Sequence, residues 1–560
     1  MMKPFIYLRV FIPVLILLSP KLSVSQSITQ KIALFDKVWG FIKYHHPAAA
    51  TGNINWDSVY IAHINQAITA KNAIQLNRQI VLLIDAAGPV KKIAPSKIPN
   101  NIFKTNFDIS WLADAKTLTS QNREKLRIIY KNRNQGNNRF IKYNNQSDFS
   151  GEKQYEEMSF PRAEYRQLFL ARFWNIINYF APYKYLSAES WDNTLIKFIP
   201  RLLKVNDVKT YYNTLFGLSK TLRDGHSSLT LNYRSDTFFN MFIGNMTMPF
   251  YCKVFNEKLV ITKLVNDSLC KVAGVAKGDE IIFADNKPIK DWLQYRRNYI
   301  TASNKTSGDA VLGWYALDDS LASVKLTIKR GGTNISLIVK RIPSKQKNWY
   351  NIVGYTGNGN GYEHINKSTL LIYASEITDQ NLDTLRKMII QSKAVIFDVR
   401  NYPGQDAFYN IMGIMLPEPK VINYSTLFMA DNPGCFSWKP SYKIGDTNPN
   451  CYKGKTVILV DERSQSQGEY AAMVLQTIPG SVTIGSQTAG ADGAVSYIPM
   501  GGKLAISYSG YGIYYTDKTP TQQVGVKIDI PVKKTIQSII NDQDVIKEEA
   551  LKYLNLKGID

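Results

Sequence analysis

The chain has 560 residues, too many for one hydrophobic core, so several domains are expected. Its 44% apolar content is that of a globular protein and excludes a disordered one. The net charge of +23 suits an anionic partner, but the basic residues are scattered and no nucleic-acid motif is present. A basic solvated surface, suited to an anionic envelope, is the reading that remains.

Lys3 and Arg9 flank a start that runs into the short apolar stretch Val10–Ser19, and Ser23-Val24-Ser25 supplies small residues for cleavage. This is the pattern of a secretory signal peptide over residues 1–25, with the mature chain beginning at Gln26 in the periplasm or outside the cell. No cysteine stands near the cleavage site to carry a lipid anchor, and no later stretch is long and apolar enough to span a bilayer. Export makes two disulfides plausible, Cys435 with Cys451 and Cys252 with Cys270, against the alternative of buried free thiols. The cysteine spacings fit no zinc site, and neither metal nor cofactor is expected.

The mature N-terminal part repeats itself. Trp39, Tyr44 and Pro47 correspond to Trp174, Tyr179 and Pro182 at a constant offset of 135, and Trp56-Asp57 falls on Trp191-Asp192 at the same offset. Each copy predicts a helix with core aromatics, a proline stop, and a second helix opened at Trp-Asp. The copies are placed in residues 26–130 and 161–245. Between them, residues 131–160 are crowded with Asn, Gln, Gly and charge and read as a mobile linker. The second copy runs on into Asp224-Gly225-His226-Ser227, a lone histidine at a helix-to-strand junction, where functional side chains concentrate.

Residues 246–345 change to short strands. The run Ser268 to Asp279, with Ala273-Gly274-Val275 and Gly278-Asp279 in it, resembles a signature of PDZ domains, and Arg330-Gly331-Gly332 turns a later hairpin. That resemblance implies peptide binding by strand addition; the alternative is a PDZ-shaped spacer. Residues 346–560 alternate strand and helix, as an α/β domain with its ligands at strand C-termini does. Within it Val457–Gln476 reads as a buried strand, a polar turn and a helix. Such a turn presents a serine at a helix N-terminus, and Ser464 and Ser466 both compete for the role.

Taken together, these segments resemble the C-terminal-processing and tricorn-core family of serine peptidases, over about residues 150 to 540. Asp398-Val399-Arg400-Asn401-Tyr402-Pro403-Gly404 is similar to the family's Asp-Leu-Arg-x-Asn-x-Gly-Gly. Ser464-Gln465-Ser466-Gln467-Gly468-Glu469 is similar to its Ser-Ala-Ser-x-x-Glu, and Gly525-Val526-Lys527-Ile528-Asp529-Ile530 to Gly-Ile-x-Pro-Asp-Ile. The resemblance implies a multidomain α+β chain: an N-terminal helical repeat region, a PDZ-like β domain and a C-terminal α/β (ClpP/crotonase-like) catalytic domain. It implies Ser466 as nucleophile. The processing branch's lysine is absent, since position 491 is Ala, so the tricorn-like element Asp224-Gly225-His226 supplies His226 as base. Backbone amides of Gly404 and Gln467 are the oxyanion-hole candidates.

The sequence also departs from the family. Gly225 stands where tricorn has Ser, Gln405 replaces a glycine, and no carboxylate precedes the last motif. Asp517 is the nearest acid to orient the histidine. The expected function is an exported serine endopeptidase acting on protein tails or unfolded polypeptides. The alternative is an inactive peptide-binding protein.

Overall fold

A computed structural model describes residues 27–555 apart from 95, 97–98, 144–145, 234–235, 347–358 and 404–406. The signal-peptide expectation over residues 1–25 lies outside the described residues. The fold is a mixed α/β multidomain one.

Two long helices, Ile28–His45 and Ala163–Phe180, pack against each other in the N-terminal half. Ser27 opens the first with a capping box to Gln30, which satisfies two amides that the first turn would otherwise leave bare. Each long helix pairs with a shorter one, Trp56–Thr69 and Trp191–Lys204, through the same bond pattern. Trp39 Nε1 donates to Trp56 O (3.1 Å) and Trp56 Nε1 to Trp39 O (2.9 Å). Trp174 and Trp191 exchange the equivalent pair at 2.8 and 3.0 Å. Buried indoles keep their N–H groups satisfied in this way without any polar side chain.

Among its described residues, the segment 131–160 is anchored to the helices rather than a mobile linker. Arg133, Asn134, Asn138, Phe140, Ile141, Phe149 and Glu152 are buried. Glu152 enters a closed ionic cluster, taking Lys43 at 2.7 Å and Arg172 at 3.2 Å, while Asp57 takes Arg172 at 2.7 Å and Lys43 at 3.3 Å. Two of the segment's asparagines make local backbone bonds, Asn134 Oδ1 accepting from Gly136 N and Asn138 Oδ1 from Phe140 N.

The middle region is an antiparallel sheet in the order Thr333–Lys340, Ser323–Arg330, Glu280–Ala284, Lys258–Leu264, Phe250–Phe255. The helix Lys305–Tyr315 lies directly on its last strand: a Cβ at Gly313 would come within 2.5 Å of the Cys252 carbonyl oxygen. The two disulfides do not form, since all four cysteines are free and buried. Cys270 Sγ instead donates to Pro249 O (3.3 Å), and Cys451 Sγ accepts from Lys453 Nζ (3.1 Å).

The C-terminal sheet runs Tyr362–Asn366, Thr369–Tyr373, Ala394–Asp398, Lys455–Val460, Val482–Gly485, Ile530–Pro531, parallel after the first pair. Its central strands read as unbroken apolar runs because both faces are covered. Helices Leu382–Gln391 and Gln467–Leu475 cover one face, and Val545–Tyr553 covers the other.

The regions are interwoven rather than strung in series. The strand Leu229–Leu231, just after His226, pairs with Leu504–Ser509, and Ile102–Phe103 pairs with Phe436–Pro440. The N-terminal core therefore includes Ile498, Met500 and Ile506. No helix among the described residues is long and apolar enough to cross a membrane.

Candidate active site

The strand Lys455–Val460 ends at the turn Asp461–Ser466, from which the helix Gln467–Leu475 departs. The turn is held rigidly. The buried Asp461 carboxylate takes Arg463 and Lys534, at 2.7 and 2.8 Å, and these cations hold it well below the usual carboxylate range against the cost of burial.

The two serines of this turn separate cleanly. Ser464 is 1% exposed; its hydroxyl donates to Val399 O at 3.0 Å and accepts from Asp461 N at 3.3 Å. It is a structural brace. Ser466 sits at the helix N-cap with φ +54° and ψ −118°, a region that L-residues rarely adopt, and its side chain makes no capping bond. A tight, strained strand-to-helix turn of this kind projects a hydroxyl outward at the sheet edge. Behind it the N–H of Gln467, in the first turn of the helix, has no acceptor within the helix by position. The Gln467 side chain bonds Tyr409 Oη. Gly404, the other oxyanion candidate, lies outside the described residues. The charged members of its motif are placed: buried Arg400 bridges Asp398 (2.6 Å) and Asp544 (2.7 Å), which fixes the backbone leading to it.

Facing the turn is the loop Thr488–Ala491. Its backbone is gripped by Glu469 of the helix, whose carboxylate accepts from Thr488 Oγ1 (2.5 Å), Gly490 N (2.7 Å) and Ala491 N (2.9 Å). Burial pushes the Glu469 carboxyl up to about 7, and these donors pull back against that shift. Ser466 N in turn donates to Ala491 O at 2.8 Å. The same Ala491 meets the histidine loop, since a Cβ on Gly225 would lie 3.0 Å from Ala491 Cβ and 3.6 Å from Gln465 Nε2. A side chain at Gly225 would be crowded between the two loops. Ser466 and His226 are brought to adjacent sides of one loop, although no hydrogen bond joins them.

His226 is anchored by a relay. Its Nδ1 lies 3.0 Å from Ser509 Oγ, and Ser509 Oγ donates to Asp224 Oδ1, also at 3.0 Å. Asp224 further accepts from His226 N (2.9 Å) and Ser509 N (2.6 Å). A serine hydroxyl has one proton; given to the carboxylate, it leaves the Ser509 oxygen to accept from Nδ1–H. That network assigns the tautomer with Nε2 unprotonated, the form a general base needs. Burial lowers the His226 pKa below the ordinary histidine value, with the Asp224 charge acting in the opposite direction, so the imidazole is neutral at neutral pH.

Asp517 does not serve as the orienting acid. It is exposed, and its carboxylate is held by Thr519 N (2.9 Å) and Lys527 (3.0 Å). The carboxylate beside the histidine is Asp224, two residues earlier in the same motif. Ser509 carried no sequence signal of its own; only the pairing of its strand with Leu229–Leu231 places it there. Among the described residues no cluster of His, Cys, Asp and Glu is arranged to hold a metal ion.

The middle region closes the site from the third side. Ser303 Oγ accepts from Gly225 N (2.7 Å), and Asn304 Nδ2 donates to Thr488 O (2.8 Å) and Ala489 O (3.0 Å).

Residues 361–532 match the sequence model of Peptidase family S41. No curated protein matches the chain. Among solved structures, mature CPAF complexed with lactacystin aligns with TM-score 0.54 at 12% identity, over 70% of this chain and 98% of that one. Mature CPAF without that ligand aligns with TM-score 0.53, also at 12% identity, over 70% and 96%. At such identity the likeness is one of fold.

Proposed function

We propose that this serine-type peptidase, whose residues 361–532 match Peptidase family S41, is an exported endopeptidase cleaving protein tails or unfolded polypeptides through an acyl-enzyme on Ser466. His226 Nε2 takes the Ser466 proton as the hydroxyl attacks the scissile carbonyl, and returns it to the leaving amine. Water then attacks the ester by the same route. Asp224, through Ser509, holds the imidazole in the correct tautomer and stabilises the imidazolium that forms. The Gln467 amide binds the oxyanion, with the Gly404 backbone amide as the second candidate donor, such a donor being worth about 3 kcal/mol. The single observation carrying this reading is the Asp224–Ser509–His226 relay set beside the strained Ser466 turn.

Export rests on the N-terminal pattern of residues 1–25, and envelope association on the +23 charge. The reciprocal tryptophan bonds support reading the helical part as a duplicated unit. For the PDZ-like domain the close packing of Gly313 on Cys252 favours a clamp over an open peptide groove along Phe250–Phe255. A second reading, an inactive peptide-binding protein, draws on the absence of a Ser466–His226 hydrogen bond. Incubation of the mature protein with casein and a peptide library separates the two. The peptidase reading expects new termini with wild type and none with Ser466→Ala; an inert wild type that still binds peptides would favour the second.

A further inference from the structure

A cavity of about 390 Å³ opens beside the histidine loop, with Arg223 and Asp224 of that loop in its wall together with Ile300 and Ala302 of the middle region. Four cations and three carboxylates line it, and all three carboxylates are occupied. Asp224 holds Ser509 and the backbone N–H of His226. Glu257 takes Arg297 through two bonds, at 2.7 and 2.9 Å, and Asp309 takes Arg297 at 3.3 Å as well as Lys305. The Lys220 ammonium donates to Arg297 O at 2.5 Å. The exposed Arg223 guanidinium has no hydrogen bond or ion pair among the described residues. It is the one cation of this wall left without a partner.

The Arg223 backbone is fixed. Its φ and ψ are both +49°, its N–H donates to Lys220 O (3.2 Å), and its carbonyl accepts from Gln523 Nε2 (3.1 Å). Gln523 N in turn donates to Gly490 O (2.8 Å), in the loop whose Ala491 O accepts from Ser466 N. Arg223 is therefore tied to the catalytic centre twice, along the chain to Asp224 and His226 and through Gln523 to the loop beside Ser466.

Geometry gives the cavity a side of the substrate. His226 Nε2 hands its proton to the leaving amine, so the histidine loop flanks the leaving-group side of the scissile bond. Three residues of chain span at most about 11 Å, which puts Arg223 within roughly three extended substrate residues of the imidazole.

We propose that Arg223 is a specificity-determining residue, and that this cavity receives an acidic side chain, Asp or Glu, carried by the leaving-group part of the substrate within about three residues of the cut. The inference rests on the peptidase reading and names the sequence that peptidase prefers. A planar guanidinium matches a side-chain carboxylate in two parallel bonds, and a glutamine in its place forfeits the charge.

The test maps the cuts made in a randomised peptide library whose C-termini are all amidated, so that no terminal carboxylate competes for the arginine. Two peptides differing only in Glu or Gln at the favoured position then give a ratio of kcat/KM. Taken within each variant, that ratio is insensitive to a general loss of activity. Expected in wild type is a preference for Glu of about fivefold, carried by KM and weakened by salt. Arg223→Lys should keep part of it, Arg223→Ala should bring the ratio near one, and Arg223→Glu should favour Lys at that position instead. A wild-type ratio near one, a Glu preference that survives in Arg223→Ala, or fluorophosphonate labelling without cleavage of any acid-bearing peptide overturns the subsite and leaves Ser466 as the nucleophile. A wild type that neither labels nor cleaves removes the peptidase reading and the inference together.

Discussion

In the proposed mechanism the chemistry depends on which nitrogen of His226 carries the proton, and Ser509 decides it. Its one hydroxyl proton goes to Asp224, so its oxygen can only accept from Nδ1. Ser509→Ala leaves the imidazole without its orienting acceptor, and a fall in kcat of about 100-fold with little change in KM is expected. The pH profile carries a sign that can be checked. The proposed mechanism makes neutral imidazole the active form, and burial lowers its pKa while Asp224 partly opposes that. The acid limb of kcat/KM should therefore fall below pH 6.5 in wild type. In Asp224→Asn the opposing charge is gone, so the limb should move further to acid as kcat drops. A limb above 6.5 would contradict a buried neutral base. The motif singled out His226 in the sequence. Its relay was not legible there, because Ser509 lies 283 residues away and only sheet pairing brings it close.

At the scale of elements, the strand Lys455–Val460, the turn and the helix Gln467–Leu475 were readable directly from a β-branched run followed by helix formers. The choice of Ser466 over Ser464 came only from the motif resemblance, since both are ordinary turn residues; the Ser464 bond to Val399 O and the positive φ of Ser466 distinguish them physically. The segment 131–160 was misread for a physical reason. Asparagine and glycine mark loops by composition, yet a few buried anchors decide whether a loop is free. Glu152 is one such anchor, placed between Lys43 and Arg172. Removing one partner of a buried ion pair leaves the others uncompensated, so Glu152→Gln should destabilise the fold by about 3–5 kcal/mol, read from denaturant midpoints. A change within 1 kcal/mol would mean that the cluster only fills space. The disulfides failed as expectations because compartment and spacing do not specify geometry; Cys451 is occupied with Lys453 and Cys270 with Pro249.

Across the whole molecule the site is assembled from three distant stretches. The helical part supplies Asp224 and His226, the middle region supplies Ser303 and Asn304 as braces, and the S41 domain supplies Ser466, Ser509 and Glu469. The exchange of strands between regions was not visible in the sequence, because Leu229–Leu231 and Ile102–Phe103 are too short to announce their partners. Ion pairs tie the middle region to the C-terminal region, Lys253 to Glu462 at 2.6 Å and Lys277 to Asp542, so the braces are held in register. The central claim is that this assembly activates Ser466 through His226. It is tested by the rate at which a fluorophosphonate labels the mature protein, compared with Ser466→Ala, Ser464→Ala and His226→Ala. The account predicts labelling of wild type and of Ser464→Ala, none of Ser466→Ala, and at least 100-fold slower labelling of His226→Ala. Labelling that persists in Ser466→Ala, or a rate indifferent to His226, would contradict it.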